Sequence, residues 1–349
     1  MGFEVRLQEH LFEDEVPFDS CHASTLIVLP DGHILAAWFG GTREGADDVA
    51  IWLSRRDEDG WKEPVKIADE ASEPHWNPVL FRDGEGKVWL FYKVGKEIRS
   101  WRTMYRVSED NGRTWSETAI LVEGDSGGRG PVKNKPIILQ DGTWVAPASI
   151  ELDTWEAFAD LSYDNGKTWT TGNKITLPQA QAAAGSDAVP TVTAAEADTP
   201  VPPVPAASFQ GIGVIQPAVW ESEPGQVHML LRSTIGLTCR SDSKDNGKTW
   251  TDAYATDLPN NNSGLDLVRL DSGVLAVVYN PVAQNWGKRT PIVISLSRDN
   301  GSTWGETFVL EDAPGEYSYP AIVAAGDEVY VTYTWKRKRI AFWRLAVTS

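Results

Sequence analysis

Ser108-Glu109-Asp110-Asn111-Gly112-Arg113-Thr114-Trp115 is a tight turn written in sequence. The Asp carboxylate can accept backbone N–H groups, Asn and Gly tolerate positive φ, and the closing Trp can lay a large ring over the turn. The pattern Ser-x-Asp-x-Gly-x-Thr-Trp returns at Ser162–Trp169, Ser243–Trp250 and Ser297–Trp304. A worn copy runs Ser54-Arg55-Arg56-Asp57-Glu58-Asp59-Gly60-Trp61. From Ser54 onward the boxes stand 54, 54, 81 and 54 residues apart, so one unit is 54 residues and one interval is longer. The turn chemistry accounts for the box carboxylates without assigning them catalysis.

Working outward, each unit has the same grammar of strand, turn, strand, strand, box. The first unit places Ser24–Leu29, the turn Pro30-Asp31-Gly32, His33–Phe39 and Val49–Leu53 ahead of its box. Asp-Gly pairs at 31–32, 83–84 and 141–142 are hairpin signals. Short antiparallel strands at this period describe propeller blades rather than a helical solenoid. Five boxes plus a final unit without one, with strands at Tyr319–Ala324, Glu328–Trp335 and Arg339–Val347, predict an all-β, six-bladed β-propeller spanning residues 1–349 as one domain. The strand around Val5–Leu11 is expected to complete the last blade and tie the termini together. The long interval contains residues 179–208, rich in Ala, Pro and Thr, which read as a flexible insert between the third and fourth blades rather than a lid.

Composition narrows the function. The 349 residues carry 41% hydrophobic side chains and 16 Trp, with a net charge of −17. Nucleic acid and anionic membrane surfaces repel such a chain, and no apolar stretch is long enough to span a bilayer. The two cysteines, Cys21 and Cys239, show no metal or disulfide spacing, so neither a cofactor nor a metal is expected. Met1–Arg6 lacks the basic and apolar regions of a signal peptide, which reads as cytoplasmic for the chain as it stands, or secreted if a leader was removed. The oligomeric state is not written in the sequence.

In a propeller the inner strands converge on the axis, so the residues that open them are candidates for a site. They read Cys21-His22-Ala23, His75-Trp76-Asn77-Pro78, Lys133-Asn134-Lys135-Pro136, Gln216-Pro217, Asn260–Ser263 and Tyr317-Ser318-Tyr319-Pro320. Apolar strand starts would be expected if the channel were packing alone. The plainer reading is that this polar ring satisfies strand-end N–H groups and channel water.

These boxes, their period, His22-Ala23-Ser24-Thr25 and Trp38-Phe39-Gly40-Gly41-Thr42-Arg43-Glu44-Gly45 together resemble the sialidase superfamily across nearly the whole chain. The resemblance implies a site in which three arginines hold a sugar carboxylate, a Tyr paired with a Glu is the nucleophile, and an Asp is the acid/base. It maps Asp47 to the acid/base and Glu221 to the partner of Tyr319, with Tyr317 two residues from the nucleophile position. It maps Arg232 and Arg289 to two of the arginines, whereas His22 stands where the first is expected. Losing one arginine of a buried clamp costs on the order of 1.5–3 kcal/mol, which weighs against ordinary sialic acid. Asn77, Asn134 and Gln216 add polar contacts, and Arg43, Lys93, Arg102, Lys133 and Lys135 add cations, although solvated surface explains such residues equally well.

Three functions follow. The first is an exo-acting glycoside hydrolase on a terminal acidic or modified sugar of an oligo- or polysaccharide. The second is a polysaccharide lyase cleaving beside a uronate, with His22 or Tyr319 as base and arginines stabilising the enolate. The third is a glycan-binding propeller without catalysis, whose exposed Trp side chains stack on sugars.

Overall fold

The computed structural model describes residues 2–70, 72–125, 127–180 and 211–348. Residues 181–208 of the expected insert lie outside the described residues.

The boxes close as the turn chemistry dictates. In all four full copies the Ser hydroxyl accepts the Gly N–H at 2.8–3.0 Å, and the Asp carboxylate takes the Thr N–H at 2.8 Å. The Thr hydroxyl donates to the same carboxylate at 2.6–2.7 Å. These Thr contacts hold Asp164 and Asp299 at about 2. Asn111, Asn165, Asn246 and Asn300 take the left-handed conformation the turn requires. The worn copy closes differently, as a short hairpin in which Asp57 pairs with Gly60.

The strands form antiparallel meanders in a propeller-like arrangement. Four stand as separate sheets. The first contains Ser20–Val28, Ile34–Gly41 and Ala50–Asp57, with two short strands against the last. The second runs His75–Arg82, Val88–Val94, Arg102–Ser108 and Ala119–Ile120. A third consists of Asp266–Arg269, Leu275–Tyr279, Ile292–Ser297 and Gly305–Glu311. The last consists of Tyr317–Ala325, Glu328–Trp335 and Arg339–Thr348, with Gly2–His10 as its outer strand. Register from Gly2 opposite Thr348 to His10 opposite Ala341 ties the two termini together.

Six separate blades were expected, and the number of separate sheets is four. The remaining two repeats share one eight-stranded sheet. Thr154–Ser162 of one and Ile212–Glu223 of the next pair in parallel, Thr154 with Ile212 and Trp155 with Gly213. Glycine permits this join. A Cβ on Gly213, at φ 145°, would lie 2.1 Å from the Trp155 carbonyl oxygen, and one on Gly211 would lie 2.1 Å from the Trp155 ring.

The core is distributed between neighbours rather than gathered at one centre. Leu35, Ile51, Leu80 and Leu90 fill the space between the first two sheets. Phe81, Trp89 and Trp144 join the second sheet to the eight-stranded one. Ala159, Met229 and Leu231 pack its two halves together. Trp220, Leu230 and Val277 continue onward, followed by Ile294, Ile322 and Val331. Leu26, Trp38, Tyr330 and Phe342 return to the first sheet.

The inner strands share one backbone device. Ala23, Asn77, Lys133, Gln216, Asn262 and Tyr319 all take φ between 43° and 66°. The pairing register shifts at His22/Thr25, Trp76/Val79, Ile215/Ala218 and Ser318/Ala321. A non-glycine residue held there costs on the order of 1–3 kcal/mol, and a bulge re-aims its side chain. The polar residues that open the inner strands are therefore locally strained.

Candidate functional site

The site grows from Tyr319, the bulged residue of the last sheet. Its side chain is only partly buried, and its hydroxyl accepts from Arg232 NH1 at 2.8 Å and from Gln216 Nε2 at 3.3 Å. Arg232 also donates to Gln216 Oε1 at 3.1 Å, which orients that amide with its NH2 toward the phenol. Two donors on one phenolic oxygen stabilise negative charge there. Arg232 is itself buried, donates from Nε to Asn262 Oδ1 at 2.7 Å, and lies over the rings of Trp155, Trp286 and Tyr319 at 5.4, 5.7 and 5.9 Å.

His22 packs behind the phenol, with ring centroids 4.2 Å apart, and its Nδ1 lies 2.8 Å from Thr334 Oγ1. Burial, then the charges of Arg337, Arg289, Lys133 and Arg232, push its imidazole well below the ordinary value, so the ring is neutral at pH 7. Arg289 completes this side, 5.6 Å from the Tyr319 ring and bonded through NH1 to Glu316 at 2.7 Å.

A further arginine adjoins this cluster through Glu316. Arg337, in the hairpin after Glu328–Trp335, donates to Glu316 at 2.8 Å and to Glu44 at 2.6 Å. Burial opposes ionisation of Glu316, yet Arg289 and Arg337 hold it at about 2. Arg232 and Arg289 thus flank the Tyr319 ring, and Arg337 joins them through Glu316 on the side of His22. Lys336-Arg337-Lys338 reads in sequence as an ordinary basic surface run, so no local signal singles out Arg337.

The structure does not bring Glu221 to Tyr319. Its carboxylate accepts Gly225 N–H and Gln140 N–H, both at 2.9 Å, and closes the far hairpin. It sits five residues beyond Gln216 along one strand, roughly 16 Å at strand rise, so the nucleophile pair expected from the sequence is not formed. Tyr317 is also corrected: its ring is buried in the core, and burial pushes its phenol up to about 12. Asp47 is 58% exposed on the loop after Gly41 and pairs with Lys96 at 3.1 Å. Arg43 is exposed on the same loop. Arg102 pairs with Glu73 away from the phenol.

The remaining expected residues sit along the axis. Lys133 donates to Leu265 O at 2.7 Å and to Pro320 O, and burial lowers its ammonium to about 7. Lys135 pairs with Asp266 at 2.9 Å, and Asn134 donates to Gln216 O and Pro217 O at 3.0 Å. These three tie inner strands to one another. Asn77 is buried at its bulge. Lys93 is fully buried, donates to Thr103 Oγ1 and Arg129 O at 2.6 Å, and is lowered by burial to about 8. Among the described residues no group of His, Cys, Asp and Glu could hold a metal ion, and no helix is long and apolar enough to cross a membrane.

Boxes, propeller-like sheets and an arginine-framed phenol define a sialidase-like repeat protein. The chain belongs to the BNR repeat-like domain family, which it matches over residues 32–331. A sialidase of Clostridium perfringens is 36% identical over 93 residues, 22% of this chain and 23% of that protein. A sialidase of Paraclostridium sordellii is 32% identical over 97 residues, again 23% of its own length. These matches span about a quarter of each relative. Among solved structures, the Hadza microbial sialidase Hz136 has a TM-score of 0.76 at 18% identity, covering 98% of this chain and 69% of that one. A protein from Dyadobacter fermentans has a TM-score of 0.75 at 15% identity, covering 99% and 100%. At these identities the likeness is one of fold.

Proposed function

We propose that this protein is a carbohydrate-active enzyme that breaks, by elimination, the glycosidic linkage carried on the β-carbon of a uronate residue in a glycan. The observation that carries this reading is the Tyr319 hydroxyl, which meets two donors, Arg232 and Gln216, and no carboxylate. Arg232, Arg289 and Arg337 supply the charge that receives a sugar carboxylate and stabilises the enolate that develops from it. Tyr319 removes the proton α to that carboxylate through its phenolic oxygen, on which Arg232 and Gln216 converge. The bond from the β-carbon to the leaving oxygen then breaks, and a carbon–carbon double bond forms. Neutral His22 supports the phenol ring from behind without adding a fourth positive charge.

Hydrolysis is the second reading, favoured by the sialidases among its relatives. There Tyr319 attacks the anomeric carbon and Asp47 is the acid/base. The two readings separate on product mass, since hydrolysis adds water and elimination does not. Incubation with oligosaccharides whose uronate carries a sugar on its β-carbon is expected to give an unsaturated product that absorbs in the ultraviolet. A hydrated product without that absorbance would select hydrolysis, and saturable binding without any product would leave a glycan-binding module.

The family fold is also proposed to work as one domain and one ring of six blades, the eight-stranded sheet counting as two. Six left-handed inner-strand residues and six hydrophobic clusters between successive repeats support that count.

A further inference from the structure

A recess opens between Val88–Val94, Trp144–Glu151 and the segment 127–132. Lys93, Trp101, Val132, Ser149 and Glu151 line it. Glu151 differs from the other carboxylates of this mouth. Glu44 and Glu316 are each bonded to arginine, and Asp47 is bonded to Lys96. The Glu151 carboxylate makes no hydrogen bond or ion pair with any described residue, although its backbone pairs opposite Trp155. It nevertheless lies close enough to Arg232, Lys93 and Glu44 for their charges to act on it. Its position is set by the strand. Ser149, two residues earlier on the same face, accepts the Gln216 N–H at 3.3 Å, so this face of Trp144–Glu151 points to the strand that carries Gln216.

A carboxyl group without a partner among the described residues, within reach of the charges of Arg232 and Lys93, is a group kept for something that enters. We propose that Glu151 is the acid of this site, giving its proton to the leaving oxygen as the carbon–oxygen bond breaks. This role rests on the elimination reading. The α proton passes to Tyr319, the electron pair of that C–H bond becomes the new double bond, and the pair of the broken C–O bond stays on the leaving oxygen. That oxygen takes the Glu151 proton, so the leaving sugar departs as an alcohol. Tyr319 then returns its proton to solvent and Glu151 regains one, and no further reactant is consumed. The environment agrees with this role. Burial raises the Glu151 carboxyl above its ordinary value, against the opposing pull of Arg232 and Lys93, while Glu44 adds to the rise.

The test compares two uronates that differ only in the group leaving from the β-carbon, a sugar or 4-nitrophenoxide. A phenoxide leaves without protonation. Glu151→Gln keeps the shape and removes the proton, and because Glu151 bonds to no described residue the variant should fold with an unchanged melting temperature. It is expected to lose about 10²-fold or more in kcat on the sugar compound while staying within a few-fold of wild type on the phenoxide. The alkaline limb of the wild-type pH profile should disappear in the variant. Lys93 and Lys133 also titrate in this range, so a limb that persists in the variant belongs to another group and counts against Glu151. Equal loss on both compounds, or loss on neither, overturns the acid role while leaving elimination intact. No unsaturated product from the wild type with either compound overturns the elimination reading itself and this role with it.

Discussion

At the scale of single residues, the site depends on which groups touch the Tyr319 oxygen. Replacing Tyr319 by Phe should lower kcat by about 10²–10⁴-fold, with circular dichroism and melting temperature unchanged; retained activity would remove the phenol from the chemistry. Glu221→Gln should leave activity near wild type, because that carboxylate caps a distant hairpin. Full loss with an intact fold would restore the pairing expected from sequence. Glu316 makes a pH prediction. Its value of about 2 lies below the ordinary 4.5, so its contribution to stability is complete above pH 4.5 and is lost as pH falls toward 2. Glu316→Gln should be less stable than wild type at pH 7, with the two denaturation midpoints converging toward pH 2. Half of this neighbourhood was legible in the sequence. Arg232, Arg289, Gln216, His22 and Tyr319 open or follow inner strands, and strand position could be counted from the boxes. Arg337 and Glu151 could not be found that way. One sits in a hairpin turn and the other ends a second strand, and neither has a motif; only the fold brings Arg337 near His22 and Glu151 near Arg232.

At the scale of elements, the boxes were legible because their chemistry is local. Four residues supply donor, acceptor and positive φ within one turn, and no tertiary information is needed. Ser243→Ala leaves the buried Gly247 N–H without its acceptor, which costs about 1–3 kcal/mol, to be read as a shift in the urea midpoint with unchanged slope. The joined sheet was not legible, because parallel pairing of Trp155 with Gly213 depends on two glycines whose use appears only when the strands meet. Gly213→Ala should destabilise by more than about 1 kcal/mol, since both its φ and its space oppose a Cβ. It should also weaken substrate binding, because Trp155 lies under Arg232. A variant as stable as wild type would show that the strands separate without cost.

At the scale of the whole molecule, the architecture reconciles an acidic chain with an anion site. The chain carries a net charge of −17, while Arg232 and Arg289 lie against one phenol and Arg337 joins Arg289 through Glu316. The repeat period carried most of this plan, and the closure through Gly2–His10 followed from a last unit lacking its outer strand. The chemistry did not follow from the period, since relatives on the same fold are matched over only part of their length. The central claim is that the arginine-framed Tyr319 breaks a bond beside a sugar carboxylate by elimination. Product masses and ultraviolet absorbance from an oligosaccharide whose uronate carries a sugar on its β-carbon, set beside its carboxyl-reduced twin, test it most directly. The account predicts an unsaturated product without added water from the acidic compound and none from the reduced one. Equal cleavage of both, or a product carrying water, would contradict it.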